Sequence, residues 1–263
     1  MKIALIGFGK MGRMISQMAI AQNHTITAVV DPLMPALNLP ESAGFFRSLA
    51  EAGELCGADV AIEFTQPATA LDNIKSLAEK RIPAVIGTTG WHDRLDEARR
   101  YVEQAGSALV WATNFSLGVN LFYRIAWYAA KLINSFPEYD AGGFEAHHNK
   151  KLDSPSGTAK TLVEGVLERM ERKTKAVWEM LDRNPKPEEL HYPSLRLGSI
   201  PGQHSLFFDS PADSIEIVHT NRNREGLASG ALSAANWLVC GETGPMKGFF
   251  SIDDLMTNML LQN

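Results

Sequence analysis

Residues 145–160 read EAHHNKKLDSPSGTAK, a run that gathers proton carriers and anion binders in one place. Histidine titrates near neutrality, so His147 and His148 can each carry a proton or touch an anion. Lys151 adds a fixed cation four residues after His147. Adjacent residues on a strand point to opposite faces, so the two histidines diverge. That disfavours a joint metal site, and no third ligand stands at metal spacing in the sequence, so no metal is expected. Divergence suits a division of labour, with one histidine handling a proton and the other meeting an anion. Beyond Asp153, the residues Ala159, Leu162, Val163, Val166, Leu167 and Met170 mark the apolar stripe of a helix. Asp153, Ser154 or Ser156 can cap its start, and Pro155 suits a first helical position. The amides of Ser156, Gly157 and Thr158, with the Thr158 hydroxyl, then form an opening that can bind a carboxylate. The expected ligand is a small anion with more than one carboxylate.

A second chemical feature lies at the N-terminus. GFGKMG fits G-x-G-x-x-G at Gly7, Gly9 and Gly12, after a short apolar run and before a helical pattern. In that setting Gly7 permits a tight turn, Gly9 lets backbone approach a pyrophosphate and Gly12 allows close packing of helix on strand. Asp31 closes the next strand, where a carboxylate accepts hydrogen bonds from the adenosine ribose. Pro32 follows, so no adjacent arginine offers itself to a 2′-phosphate, although Lys10 in the loop partly offsets the repulsion. NADH is therefore the preferred cofactor and NADPH a possible one. Gly87-Thr88-Thr89-Gly90 and Ala112-Thr113-Asn114-Phe115 end two further strands. Ligands of such sheets bind outside the carboxyl ends of strands, which places both loops toward the nicotinamide half.

The elements that must position these groups follow from periodicity. KIALIG, TITAVVD, ADVAIEFT, IPAVIGTTG and SALVWATNF read as strands, separated by helical segments, the last of them polar, from about residue 92 to 104. Strand and helix alternate, which predicts an α/β fold with a Rossmann-type doubly wound parallel sheet. After Asn114 the pattern changes to a long apolar helix, the cationic run with its helix, a Pro-rich polar segment, and the strand-like HSLFFDS and SIEIVHT. That middle region reads as a second, α+β domain. The domain expectation is 1–116 plus 227–263 for dinucleotide binding, and 117–226 for substrate binding and oligomerisation. Gly142 and Gly143 in DAGGFEA stand where β-branched residues pack better, which predicts a weak middle sheet and a loosely held oligomer.

Bulk composition narrows the class. The 263 residues are 45% hydrophobic and 21% charged, with a formal net charge of −5. Such composition is globular rather than disordered, and a mildly acidic chain is a poor nucleic-acid binder. Cys56 and Cys240 lie far apart and read as buried, reduced thiols of a cytoplasmic protein. No stretch approaches a membrane span, and the N-terminus lacks a cleavable small-residue site, so no signal peptide is expected.

EAHHNKKLDSPSGTA is similar to the signature of the dihydrodipicolinate reductase family, now called 4-hydroxy-tetrahydrodipicolinate reductases. GFGKMGRMI, AIEFTQP, GTTG, NFSLGVN, GQH and GFFSIDDL stand in that family's order, so the resemblance spans nearly the whole chain. EFT stands where DFT is commoner, a change without obvious chemical consequence. The resemblance implies NAD(P)H-dependent reduction of a cyclic dicarboxylate, with loss of water to give tetrahydrodipicolinate, in the diaminopimelate route to lysine. It implies that His147 donates a proton, that Lys151 is the second catalytic cation and that His148 touches a substrate carboxylate. Ser156, Gly157 and Thr158 match the carboxylate grip. Arg224 matches an arginine near the exit of the substrate domain, with Arg222 competing for the role. Gly7, Phe8, Gly9, Lys10, Met11, Gly12, Asp31, Gly87, Thr88, Thr89, Ala112, Thr113, Asn114 and Phe115 match dinucleotide contacts. The family is usually a homotetramer joined through its middle domain. Other two-domain nicotinamide dehydrogenases share the loop and Asp31 but do not need the histidine–lysine–SGT grip, and a non-enzymatic sensor does not need the proton donors.

Overall fold

The computed structural model describes residues 1–33, 39–241 and 244–261. The chain divides into two compact units, Met1–Leu117 with Glu225–Asn263, and Gly118–Arg224. In chain order the first strands are β1 (Lys2–Ile6), β2 (Thr25–Val30), β3 (Gly44–Phe46), β4 (Val60–Glu63), β5 (Ala84–Ile86) and β6 (Ala108–Trp111). The middle strands are β7 (Asp140–His147), β8 (Lys175–Val177), β9 (Glu189–His191), β10 (Ser194–Arg196), β11 (Gln203–Asp209) and β12 (Ser214–Thr220). A last strand, β13 (Gly248–Ser251), returns to the first unit. The helices are α1 (Lys10–Ala21), α2 (Pro67–Glu79), α3 (Leu95–Ala105), α4 (Leu117–Ile133), α5 (Gly157–Leu167), α6 (Glu225–Cys240) and α7 (Ile252–Leu261).

In the first unit seven strands line up as β13-β6-β5-β4-β1-β2-β3, and every neighbouring pair is parallel. This is the doubly wound order expected from the alternation, with the chain reversing direction of travel at β1 and β4. Parallel strands covered on both faces must be apolar throughout, and β1 shows how the alternation is used. Ile3 and Leu5 pack into a cluster with Ile15 and Ala19 of α1 and with Ala231, Ala235 and Leu238 of α6. Ala4 and Ile6 face the other way, into a cluster with Leu71 and Ile74 of α2 and Ala98 and Val102 of α3. Small alanines on α6 bring that helix close to the sheet. Two strands escape the sequence pattern: β3 is three residues long, and β13 is hidden in the closing GFFSIDDL run.

The second unit is a mixed sheet of six strands, ordered β12-β11-β7-β9-β8, with β10 also pairing β7. Tyr123, Ala126 and Ala130 of α4 and Leu162, Val163 and Val166 of α5 cover one face of it, meeting Leu206 and Phe208 of β11. Sequence pattern predicts a polar segment around residues 182–194, yet it contains β9 and the start of β10. These strands are too short and too interrupted by proline to show periodicity. The helix expected to run through Met170 ends instead at Leu167, and Met170, fully buried, lies just beyond the turn that follows it. Cys56 and Cys240, expected to be buried, are both exposed, since neither sits on the apolar face of its segment.

The reading of Gly143 as a weak point of the strand needs correction. β7 pairs with β11 along its length, from Asp140 opposite Asp209 to Ala146 opposite Gln203. A Cβ at Gly143 would collide with the Ser205 carbonyl and come within 2.6 Å of the Tyr192 ring. Glycine is thus the residue that lets Tyr192 lie flat on the strand, and the space a β-branched residue would fill is already occupied.

Candidate functional site

The glycine loop connects β1 to α1. A Cβ at Gly7, which has φ +93°, would collide with the Phe64 carbonyl, and one at Gly12 would collide with the carbonyl of Gly7. Both glycines are therefore demanded by the protein's own packing. Gly9 differs, because a Cβ there would meet nothing within 4 Å. The space beside Gly9 is left open by the chain, as a phosphate cradle at a helix N-terminus requires. Phe8 donates its amide to Asp31 Oδ2 at 2.7 Å, and Leu33 donates to Oδ1 at 2.9 Å. The Asp31 carboxylate is thus held at the lip of the loop, with lone pairs left for hydroxyl donors.

A cavity of about 510 Å³ opens there, lined among others by Gly7, Gly9, Asp31, Arg47, Thr65 and Asn73. Arg47 answers a question the sequence left open. No arginine adjoins Asp31 in the chain, but β3 carries Arg47 and Ser48 back to the same wall. Of the other expected contacts, Lys10, Thr89 and Thr113 are exposed, Met11 and Asn114 are half-buried, and Phe8, Ala112 and Phe115 lie in the core. Phe115 packs its ring 6.4 Å from that of Phe64. Thr88 is tied inward: its hydroxyl accepts the Thr65 amide at 2.6 Å and its carbonyl accepts Trp91 Nε1 at 2.7 Å. These bonds fix the ends of β4 and β5 to each other. Beneath them Glu63 is fully buried, accepting hydrogen bonds from the Thr65 hydroxyl and, at 3.2 Å, from Asn73. Burial pushes its carboxyl up, and the Thr65, Thr88 and Asn73 donors offset that only in part.

In the second unit, alternation along β7 turns Glu145 and His147 to one face. Register then completes the group. Ser194 and Arg196 of β10 stand opposite Glu145 and His147, and His204 of β11 stands opposite Glu145 from the other side. Glu145 is fully buried. Its Oε1 accepts from the Ser156 amide at 3.0 Å, the Ser194 hydroxyl at 2.7 Å and Arg196 Nη2 at 2.7 Å, while Oε2 accepts from the Ser156 hydroxyl. Burial works against its charge, but these donors win and hold the carboxyl down at about 2. His147 Nδ1 lies 3.4 Å from Oε2, and His204 Nδ1 lies 3.9 Å from it. Burial lowers both imidazoles, His204 to about 3.

The turn after β7 carries the remaining residues. Lys151 pairs with Asp153 at 2.9 Å. His148 leaves the strand half-buried, with Nδ1 enclosed. Three capping candidates resolve to one: Ser156 is the N-cap of α5, its hydroxyl accepting the Ala159 amide at 3.1 Å. Spacing predicts Pro155 as the first helical residue, whereas it sits one place before the cap. A cap must bond forward to the third helical amide, and Ser156 alone has the side chain placed to do so. The Ser156 amide donates to Glu145, and helix geometry leaves the first amides, those of Gly157 and Thr158, without an intrahelical acceptor. Arg222 and Arg224 are exposed at the C-terminal limit of this unit.

Both halves of the chain match one family. The profile described as "Dihydrodipicolinate reductase, N-terminus" matches residues 1–115, and "Dihydrodipicolinate reductase, C-terminus" matches residues 118–256. The chain belongs to the dihydrodipicolinate reductase family. A 4-hydroxy-tetrahydrodipicolinate reductase of Christiangramia forsetii is 34% identical over 259 residues, 98% of this chain and 99% of that one. The enzyme of the same name from Archaeoglobus fulgidus is 34% identical over 266 residues, 97% of this chain and 100% of that one. Among solved structures, a dipicolinate-bound dihydrodipicolinate reductase from Paenisporosarcina sp. TG-14 shares the fold. Its TM-score is 0.76 at 22% identity, covering 95% of this chain and 97% of that one. As in other members of this reductase family, the first unit is a pyridine-nucleotide domain. No helix among the described residues is long and apolar enough to cross a membrane.

The dihydrodipicolinate reductase signature points at His147 and Lys151, but the structure surrounds them with residues that sequence reasoning passed over. Glu145 stood inside the quoted segment, and its i, i+2 spacing to His147 was the available signal. His204 lay in GQH, and Arg196 lay in a strand too short to see. One ligand atom from each of Glu145, His147 and His204 falls within 4.8 Å of the others, a third member that the histidine pair alone did not suggest. Arg196 already pairs with this carboxylate, and a second cation would be repelled by it.

Proposed function

We propose that the chain reduces 4-hydroxy-tetrahydrodipicolinate to tetrahydrodipicolinate with loss of water, in diaminopimelate and lysine biosynthesis. The observation that carries this reading is the β7–α5 connection, where a buried Glu145–His147 pair and the open amides of Gly157 and Thr158 lie within one turn of chain. Reduced nicotinamide, bound along Gly7, Phe8, Gly9, Lys10, Met11 and Gly12, supplies the hydride. Gly87, Thr88 and Thr89 and residues Ala112, Thr113, Asn114 and Phe115 shape the nicotinamide half of that site. His148 and the Gly157–Thr158 amides, braced by Ser156, hold the two carboxylates and so orient the ring. Arg224 adds a cation to the same dianion. Hydride addition to a conjugated imine leaves an electron-rich nitrogen that needs a proton. His147 delivers it and Lys151 stabilises the charge. Burial disfavours the imidazolium of His147 in the free protein; an arriving dianion raises its proton affinity, which couples protonation to substrate binding.

NADH is preferred because Asp31 accepts from ribose hydroxyls, while Arg47 in the same cavity lets NADPH serve as well. Residues 1–116 with 227–263 carry the dinucleotide, and residues 117–226 carry substrate and the contacts of a homotetramer. Ile215 and Val218 of β12, 44% and 45% exposed, support such assembly through the middle sheet. The enzyme works in the cytoplasm, without nucleic acid or membrane partners.

The test is NADH oxidation with substrate generated by the preceding synthase, repeated with NADPH. Steady consumption is expected with both, faster with NADH, and pyridine-2,6-dicarboxylate should compete. Replacing His147 and Lys151 together should lower turnover by about 10²–10⁴-fold with NADH still bound. A wild-type chain that binds NADH but never oxidises it with this substrate would refute the reading.

A further inference from the structure

We propose that Glu145 is the positioning residue of His147: its Oε2 holds Nδ1 as the protonated nitrogen, leaving Nε2 to exchange a proton with the bound ring. The inference rests on the reading that His147 is the proton donor. Its support is geometric. Among the described residues, Glu145 Oε1 already accepts three hydrogen bonds, from the Ser156 amide, Ser194 and Arg196, and is full. Oε2 accepts one, from the Ser156 hydroxyl, and keeps a lone pair 3.4 Å from His147 Nδ1. That nitrogen is closed off from solvent. A proton on Nε2 alone would set the Nδ1 lone pair against an ionised carboxylate, two negative ends with nothing between them.

The other end of the ring points elsewhere. A Cβ at Gly202 would stand 3.0 Å from His147 Nε2 and 3.0 Å from Asn221 Nδ2, so Nε2 sits over the bare backbone of Gly202, beside the Asn221 amide. His204 crosses the imidazole edge-on at 5.2 Å and limits its rotation. The charged and titratable groups facing His147 come from every side: Glu145 on its own strand, Lys151 and Asp153 from the following turn, Arg196 from β10 and His204 from β11. Glu145 and Asp153 favour an imidazolium, and Lys151 and Arg196 oppose it. In the free protein Nδ1 makes no hydrogen bond, because its approach to Oε2 is both long and misaligned. The two close up when the ring becomes cationic, as catalytic hydrogen bonds often tighten only with substrate bound. In the step itself the imidazolium gives its Nε2 proton to the electron-rich nitrogen of the reduced ring. The N–H bond breaks at Nε2, whose electron pair stays on the imidazole, and the other proton remains on Nδ1, facing the ionised Glu145 carboxylate. Water replaces the lost proton between turnovers.

The test uses the full chain with ¹⁵N-labelled histidine, and long-range ¹H–¹⁵N spectra that read which nitrogen bears the proton. The His147 signals are identified by their loss in His147→Gln. Neutral His147 with its proton on Nδ1 is the expected result; a proton on Nε2, or an even mixture, overturns the proposal. This reading needs no altered Glu145 and is independent of catalysis. If His147→Gln kept full turnover, the proton-donor assignment would fall while the tautomer result stood. The kinetic arm is Glu145→Gln. In serine hydrolases a carboxylate-to-amide change that gives the wrong tautomer lowers turnover by about 10⁴-fold. Here a fall of about a hundredfold in kcat is expected, with KM for the ring little changed and the group that must be protonated titrating at lower pH. An unchanged pH profile in a folded Glu145→Gln protein counts against the proposal.

Discussion

Glu63 and Glu145 are both fully buried, each on a central strand of its own unit, and each is ringed by hydroxyl donors. Their carboxyls move in opposite directions. Burial raises Glu63, whose donors are the neutral Thr65, Thr88 and Asn73. The same burial acts on Glu145, but Ser156, Arg196 and Ser194 together bring it down to about 2. Each carboxyl also has one backbone amide among its donors, so the difference between the two sites is one guanidinium. A carboxyl that is to anchor a proton-carrying histidine must stay ionised without that histidine's help, and β10 supplies the charge. A carboxyl that only ties two loop ends together has no such need. Under the proposed function, the pair separates a structural acid in the first unit from a positioning one in the second.

The largest break in that contrast should come from Arg196→Met. Glu145 would keep its burial and lose its cation, and removing one partner of a buried pair costs on the order of 3 kcal/mol. Urea unfolding at neutral pH measures it. The acid limb should move too. A depressed carboxyl contributes stability that is present above its unfolded value of 4.5 and lost as pH falls toward about 2. With Arg196 gone, that acid-induced loss should be smaller and complete at higher pH, because only the folded-state value rises toward 4.5. Wild-type stability in the variant would mean that the serine and amide donors alone hold Glu145 ionised.

A second contrast lies between glycines of the two units. Gly143→Ala drives a methyl group toward the Ser205 carbonyl and the Tyr192 ring, and overpacking of this kind costs about 1–3 kcal/mol. Gly9→Ala meets no protein atom within 4 Å, so stability should hold within about 0.5 kcal/mol while NADH binding weakens. Thermal unfolding with and without NADH distinguishes them. Equal destabilisation by both changes would show that the space beside Gly9 belongs to the protein's own packing rather than to a ligand.

The same contrast explains what the sequence could convey. The first unit is legible because buried parallel strands such as KIALI write their period plainly, and the glycine loop follows at a fixed offset. Arg47 is not legible, since β3 returns it to Asp31 by a strand of three residues. In the second unit His147 and Lys151 stand in one contiguous signature, whereas their supports come from β10 and β11 by register alone. Pairing across strands leaves no mark on local spacing, so Arg196 and His204 could be found only in three dimensions. Gly143 was misread for a related reason: a glycine that makes room for a distant ring looks, in one dimension, like a weak point.

The smallest effect should come from Glu63→Gln, and its smallness is what makes it informative. If burial keeps Glu63 protonated, an amide replaces a neutral acid of nearly the same shape, able both to accept from Thr65 and to donate. The sign of the pH dependence follows. A group raised in the folded state binds its proton more tightly there than in the unfolded chain, so stability declines as pH rises above the unfolded value of 4.5 toward the folded one. Glu63→Gln removes that decline. At pH 4 the variant should match the wild type within about 0.5 kcal/mol, and at pH 7 it should be equal or more stable, the reverse of Arg196→Met. Urea titrations at the two pH values provide the measurement. A variant that is clearly weaker at pH 7 and not at pH 4 would mean that Glu63 is ionised after all, and that the hydroxyls of Thr65 and Thr88 suffice to hold a buried charge with no cation beside it.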